Sequence, residues 1–272
     1  HASMGCDLLT TSSDKNARGI AEELNRENSR RQGIERNIFS DIVRQFEANP
    51  QLLQRSVVLD QQGWHEGVIG IVASRLVNRY MRPVVLIAVT DGMGKGSARS
   101  PNGFDMFQAL KGCAQYLEKF GGHQAAAGLT LRAENIPAFR EHFEEIVSKN
   151  TTAKDFVPKL DIDTEIAPAD ISPRLADEIE QLAPFGTSNP EPLFMLSNVD
   201  VLSTRIVGGS HVQMQLRPHG NVQFRPLRAI FFNMGADRPP PERLHRVACH
   251  IRWNLWKDRK NLQLIIRDFV AG

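Results

Sequence analysis

The chain has few cysteines, and none of them lie close together. Cys6, Cys113 and Cys249 form no C-x-x-C pair, so neither a zinc site nor a disulfide framework is implied. No apolar run approaches the roughly 18 residues that a membrane-spanning helix needs, and no signal peptide is visible. The reducing cytoplasm is the expected location, with no membrane partner. Overall charge is also slight: 33 Lys and Arg stand against 31 Asp and Glu, a formal net charge of +2. What remains is a 272-residue chain, 41% hydrophobic, able to bury cores for about two domains of roughly 100–200 residues each.

The most informative stretch is Lys119-Phe120-Gly121-Gly122-His123-Gln124-Ala125-Ala126-Ala127-Gly128. It sets one imidazole between backbone without side chains and a run of the smallest side chains. Glycine lets a ligand approach the main chain, and exposed N–H groups in such a turn form a nest for phosphate or carboxylate oxygens. His123 adds a donor that can gain charge near neutral pH. The plainer alternative is a tight turn before a packed Ala-rich strand.

Two further segments point the same way. Trp64-His65-Glu66-Gly67 through Leu76 follows the apolar run Ser56–Asp60 and reads as strand, turn and helix. Its helix N-terminus, with unpaired N–H groups and the positive end of the dipole, suits an anion. Gly94-Lys95-Gly96-Ser97-Ala98-Arg99-Ser100 puts a guanidinium between two hydroxyls on a short strand, and the planar fork of Arg matches phosphate bidentately.

Charge is unevenly spread. From Leu196 onward about a dozen basic side chains, among them Arg205, Arg217, Arg225, Arg228, Arg252, Lys257, Arg259, Lys260 and Arg267, face about five acidic ones. The stretch before it is acidic, with Asp161, Asp163, Glu165, Asp170, Asp177, Glu178, Glu180 and Glu191. A basic half suits a polyanion.

The pattern along the chain predicts a long connecting helix over 14–48, capped by Ser12, Ser13 or Asp14 and ended by Asn49-Pro50. Its apolar stripe of Ile34, Ile38, Ile42 and Phe46 follows a polar middle, as in a helix that bridges domains. An α/β domain is expected over 51–150. Residues 151–195 read as a linker holding a strand at 159–163 and a helix near 173–181. Short strands split by Gly208-Gly209, His219-Gly220 and Pro239-Pro240-Pro241 suggest a small all-β barrel over 196–272. Val201, Val212, Met214, Leu216, Ile230, Val247, Ile251, Leu262, Leu264 and Ile266 are expected to point inward. Phe224, Phe231, Phe232, Trp253 and Trp256 include candidates for stacking on bases, although most aromatics in so small a barrel must fill its core.

The WHEGVIGIVASRL, GSARS and FGGHQAAAG segments resemble the DHH-associated domain of the DHH phosphoesterases, in particular the RecJ-type single-strand-specific 5′→3′ DNA exonucleases. Leu182-Ala183-Pro184-Phe185-Gly186-Thr187-Ser188-Asn189-Pro190-Glu191-Pro192-Leu193-Phe194 resembles the junction before the oligonucleotide-binding (OB) fold of that family. The resemblance runs from about Cys6 to the last residue. It implies an α/β domain of DHH-associated type followed by an OB-like barrel. Ser97, Arg99 and Ser100 would then hold a 5′ phosphate, with Gly121, Gly122 and His123 at the terminal nucleotide or scissile group. His65 is a further phosphate contact, and His123 would assist catalysis. Arg205, Arg252, Trp253, Trp256, Lys257, Arg259 and Lys260 would line the path of the strand through the barrel.

The same resemblance implies a manganese or magnesium centre held by Asp and His in a separate N-terminal domain. The signature Asp-His-His of that centre occurs nowhere here. His65, Glu66 and His123 sit in different segments and offer one carboxylate among them, whereas a two-metal site needs bridging carboxylates. The chain therefore reads as the C-terminal, DNA-holding part of a repair and recombination nuclease, inactive by itself. His1-Ala2-Ser3-Met4-Gly5 looks like a cloning scar. Expected partners are 5′-phosphorylated single-stranded DNA and single-strand-binding protein, with the chain a monomer. Two alternatives stay open: a relative acting on short RNA or a cyclic dinucleotide, and a partner-binding module with little DNA affinity.

Overall fold

The computed structural model describes residues 2–234, 240–256 and 259–272, without the side chains of Ala2, Ala153 and Trp256. The chain divides into two compact units, residues 1–158 and 159–272.

In the first unit, helix α1 (Ala2–Thr10) takes in most of the expected scar. Helix α2 (Asp14–Ala48) has the predicted bounds, with the Ser13 hydroxyl accepting from the Asn16 N–H and Asn49 at its C-cap. Its second half is no free connector. Ile38, Ile42 and Phe46 are buried with Ile69, Val72 and Leu76 of helix α3 (Glu66–Tyr80). Glu35 fixes the two helices by accepting from Arg75 Nη1 at 2.9 Å.

The sheet comprises β1 (Val57–Gln62), β2 (Val84–Thr90), β3 (Met93–Arg99), β4 (Lys119–Gly122) and β5 (Ala126–Arg132), in the order β1-β2-β3-β5-β4. The β1–β2 pair is parallel and the others are antiparallel. Strand β2 is buried on both faces, as its unbroken apolar run requires. Asp91 and Gly92, both at positive φ, turn it into β3. One sheet face packs on α2 and α3. The other packs on α4 (Met106–Gly112) and α5 (Ile136–Asn150), around Phe139 and Phe143. The helical spacing expected from Phe104 to Leu117 stops at Gly112, and Ala114–Tyr116 is a separate short 3₁₀ turn. The first two residues of the GGH motif are not in a turn, since they end edge strand β4.

In the second unit the expected strand at 159–163 is absent. Instead β6 (Thr164–Glu165) pairs with β7, and Asp163 accepts the Leu193 N–H at 2.8 Å. Helix α6 (Pro173–Glu180), capped by Ser172, buries Ala176 and Ile179 in the same core as the strands. Most of the expected linker is therefore part of this unit, which starts at Lys159. Strands β7 (Phe194–Val207), β8 (His211–Pro218), β9 (Leu227–Phe231), β10 (Arg243–Trp256) and β11 (Arg259–Ala271) are each paired on both sides, β10 joining β11 and β7. The expected inward residues sit in or against the core except Ile230. Met214 pairs with Ala229, so Leu227, Ala229 and Phe231 face inward and Ile230 is buried on the opposite side. Cys113 and Cys249 are buried free thiols, and burial pushes both up to about 12.

On the core side of β3, a Cβ at Gly94 would sit 2.7 Å from Ile87 Cγ2 and 3.0 Å from Leu131 Cδ2. Gly94→Val is expected to cost about 1–3 kcal/mol by overpacking, read as a fall in the melting temperature of the first unit. An unchanged melting temperature would mean that the sheet yields there.

Candidate nucleic-acid interface

Residues paired across an antiparallel ladder share a sheet face, as do residues two apart along a strand. The register pairs Arg99 with Ala126, Ser97 with Gly128 and Lys95 with Thr130, while β4 adds Gly121 opposite Gly128 and Lys119 opposite Thr130. These residues form three rows on the face that β3 presents away from α4 and α5. They make a shelf, and the rows of Ser97 and Lys95 line an open cavity of about 470 Å³ bordered by Glu66 and Gly67 at the start of α3, with Arg99 beyond its lining.

The glycines of this region differ in purpose. Gly122, at φ +147°, would place a Cβ 2.5 Å from Ala126 O, so the hairpin itself demands glycine. Neither reason applies on the shelf. A Cβ at Gly121 would meet nothing within 4 Å, and one at Gly128 only Gly96 O at 3.9 Å, with no positive φ at either. Their lack of a side chain leaves the shelf bare. His123 follows in the turn. Its N–H bonds to Ala126 O at 2.8 Å, and its exposed ring has no hydrogen-bond partner among the described residues.

Arg99 is half-buried and has no carboxylate partner among the described residues. Its Nη1 donates to Ala98 O at 2.8 Å. Its other end lies against α3 at Gly70, where a Cβ would come within 2.9 Å of Nη2 and 3.4 Å of Ser97 Oγ. Desolvation lowers the pKa of the guanidinium from its ordinary value, and it remains a cation. Sequence reasoning overlooked Gly70. Its signal was a glycine inside a helix, which is unfavourable by about 1 kcal/mol relative to alanine.

Two expected phosphate contacts have other duties. The Ser100 hydroxyl lies 3.0 Å from both Phe104 O and Gln124 O, so it ties the loop after β3 to the turn of His123. His65 caps α3: its Nδ1 accepts from Gly67 N at 3.1 Å, and its carbonyl accepts from Val68 and Ile69. The α3 terminus is thus filled by the protein itself, leaving His65 only its Nε2 edge. Trp64 packs against the α2–α3 core. Lys95 pairs with Glu66 at 2.8 Å, and the hydrogen bond and charge of Lys95 hold the Glu66 carboxyl below the usual range.

In the second unit the acidic stretch is folded onto part of the basic one. Arg252 Nε donates to Glu191 Oε1 at 2.5 Å and Nη2 to Oε2, and this pairing raises the Arg252 pKa. Asp177 accepts from Trp253 Nε1 at 2.8 Å and Lys260 Nζ at 3.2 Å, bonds that lower its own pKa. Lys260 also lies 3.6 Å from Glu180 and 4.4 Å from the centre of the Trp253 ring. Arg252, Trp253 and Lys260 therefore already have partners within the unit. Lys257 and the Trp256 side chain lie outside the described residues. Phe231 packs against the core, Phe232 meets His211 edge-on, and Phe224 is half-buried. Arg205 lines a polar groove of about 340 Å³ with Gln213, Gln215, Arg228, Asn261 and Gln263. This row of amides escaped the sequence reading, although the alternation Gln213, Gln215 in β8 was its visible trace.

Two family models match: the DHHA1 domain over residues 49–149 and the RecJ OB domain over 162–268. This pairing of domains places the chain among DHHA1-domain proteins, and more narrowly it belongs to the RecJ family. It is 34% identical to the single-stranded-DNA-specific exonuclease RecJ of Bacillus subtilis, over 97% of this chain and 34% of that protein. With the Escherichia coli protein of the same description it shares 31% identity, over 97% of this chain and 47% of that one. The solved RecJ of Thermus thermophilus with Mg²⁺ superposes at a TM-score of 0.80 and 28% identity, covering 100% of this chain and 41% of that one. A second structure of the same protein, with Mn²⁺, gives the same score. The chain thus spans about a third to a half of the length of the curated relatives it matches. Among the described residues no group of three or more His, Cys, Asp or Glu could hold a metal ion.

Lys260 is available to phosphate only in competition with Asp177 and Glu180. Asp177→Asn with Glu180→Gln should tighten single-strand binding and steepen its salt dependence by about 0.7 in slope, measured by anisotropy across a salt series. An unchanged slope would remove Lys260 from the strand path.

Proposed function

We propose that this chain is the substrate-holding part of a RecJ-type 5′→3′ exonuclease specific for single-stranded DNA. The shelf receives the 5′-terminal nucleotide, and the OB unit grips the strand further along. The observation that carries the reading is the coincidence of two bare glycines, Gly121 and Gly128, with a half-buried Arg99 that has no acidic partner among the described residues. A guanidinium held this way presents a preformed fork to phosphate.

Ser97 and Arg99 hold the 5′ phosphate, and Gly121 and Gly128 let the nucleotide lie against the sheet. His123 offers its ring to a phosphate oxygen, where a hydrogen bond stabilises charge that develops during cleavage. Ser100 positions the His123 turn. In the OB unit, Arg205 and Arg228 supply charge, and the glutamine and asparagine side chains supply hydrogen bonds to a flexible single strand.

The hydrolytic step belongs elsewhere in a longer protein. The described residues do not fit the divalent metal with which Thermus thermophilus RecJ has been solved. Mg²⁺ or Mn²⁺ would be bound outside this chain, and the chain by itself would not cut DNA. Among the described residues no helix is long and apolar enough to cross a membrane. The reading extends to a cytoplasmic, monomeric protein of DNA repair and recombination that works beside single-strand-binding protein.

Arg99→Ala should weaken binding of a 5′-phosphorylated oligonucleotide by about 1.5–3 kcal/mol and leave a 5′-hydroxyl copy unaffected, as measured by fluorescence anisotropy. Equal losses on both would place Arg99 away from the terminal phosphate. Gly128→Val should keep the melting temperature, since open space lies above it, while reducing binding of both oligonucleotides. Full binding by that variant would show that DNA bypasses the shelf.

A further inference from the structure

We infer that Lys95 and Lys119 form a second phosphate subsite on the shelf, one that takes a phosphate further along the same single strand. The inference rests on the reading of the shelf as the 5′-end site. Both lysines lie opposite Thr130, from β3 on one side and β4 on the other, so three adjacent strands carry one row of ammonium, hydroxyl and ammonium. The next row, Ser97, Gly128 and Gly121, lies two residues away, about 6.7 Å along the strands. Phosphates of a stacked strand rise about 3.4 Å apart, so one row spans two stacked nucleotides or one that is drawn out. The bare glycines lie between the lysine row and the row of Arg99. The lysine row lies two such rows, about 13.4 Å, from that of Arg99. A strand entering at Arg99 and passing over Gly128 and Gly121 therefore brings a phosphate about two drawn-out nucleotides further on to the two ammonium groups, inside the cavity that these glycines line.

The charges on this row are available. Lys119 has no acidic partner among the described residues. Lys95 has only Glu66 among them, and both side chains of that pair are largely exposed, at 63% and 58%. An exposed pair of this kind is weak, so Lys95 can exchange the carboxylate for a phosphate. Glu66 then acts as a counterweight, holding Lys95 in place when no strand is bound and repelling phosphate until it is displaced. The two lysines differ in this respect, and the difference gives tests of opposite sign.

The 272-residue chain is titrated by calorimetry at low salt with thymidine 5′-monophosphate and with the 5′-phosphorylated thymidine tetranucleotide. Wild type should bind the tetranucleotide more tightly. Lys95→Ala and Lys119→Ala should each leave the monophosphate unchanged, weaken the tetranucleotide about tenfold, and lower the salt slope by about 0.7. Glu66→Gln should tighten the tetranucleotide alone. No gain with length in the wild type, no loss in either lysine variant, or equal losses on both ligands would overturn the subsite. Arg99→Ala separates the two readings. If it weakens both ligands while the lysine variants weaken neither, the 5′-end site stands and the second subsite falls. If it leaves the monophosphate unchanged while the lysine variants weaken the tetranucleotide, the lysine subsite stands and the 5′-end reading falls.

Discussion

The register between β3 and β5 is the constraint on which the first unit depends. Ser97 lies opposite Gly128, which puts Gly94, Gly96 and Ala98 against the core and Lys95, Ser97 and Arg99 on the open face. Side-chain direction alternates with each residue, so a slip of one position would drive the cations of Lys95 and Arg99 toward the core of Phe139. The near-contact of Gly94 and Gly96 with Ile87, Leu129 and Leu131 prevents that slip by shape, and the Asp91-Gly92 turn prevents it by length. The placement of side chains on one face is thus enforced by packing on the other.

Helix α2 and the β1–α3–β2 unit were legible because their signals are local: a serine cap at the start, an unbroken apolar strand, and Asn49-Pro50 as a stop. The GSARS and FGGHQAAAG segments also meet on adjacent strands of one sheet. What they could not convey was division of labour among neighbours. Ser97 and Ser100 look alike in sequence, yet only tertiary structure brings Phe104 O and Gln124 O to the second hydroxyl. His65 is an unusual cap, since Ser, Thr, Asp and Asn are the common ones, and its imidazole looked free. The linker was misread for a similar reason. A two-residue strand carries no periodic signal, and β6 exists only because Met195 and Phe194 lie beside it.

Charge gave the least reliable guide in the second unit. Counting by segment set acids against bases, but the fold places Asp177 beside residues 76 and 83 positions later. Composition records how much charge a segment holds and says nothing of whether the opposite charge folds onto it. The groove over β7, β8, β9 and β11 shows the converse. Amides that add nothing to net charge line its floor, with Arg205 and Arg228 as its cations.

Gly70 carries a further consequence. Alanine there would favour the helix by about 1 kcal/mol, and the atom it would crowd is the movable end of Arg99. Stability and the placement of the guanidinium therefore pull this position in opposite directions. A laboratory selection for heat tolerance alone would drift toward alanine at this site and would deliver a sturdier protein with a displaced guanidinium. Thermostabilised forms of the chain are best chosen with residue 70 held fixed.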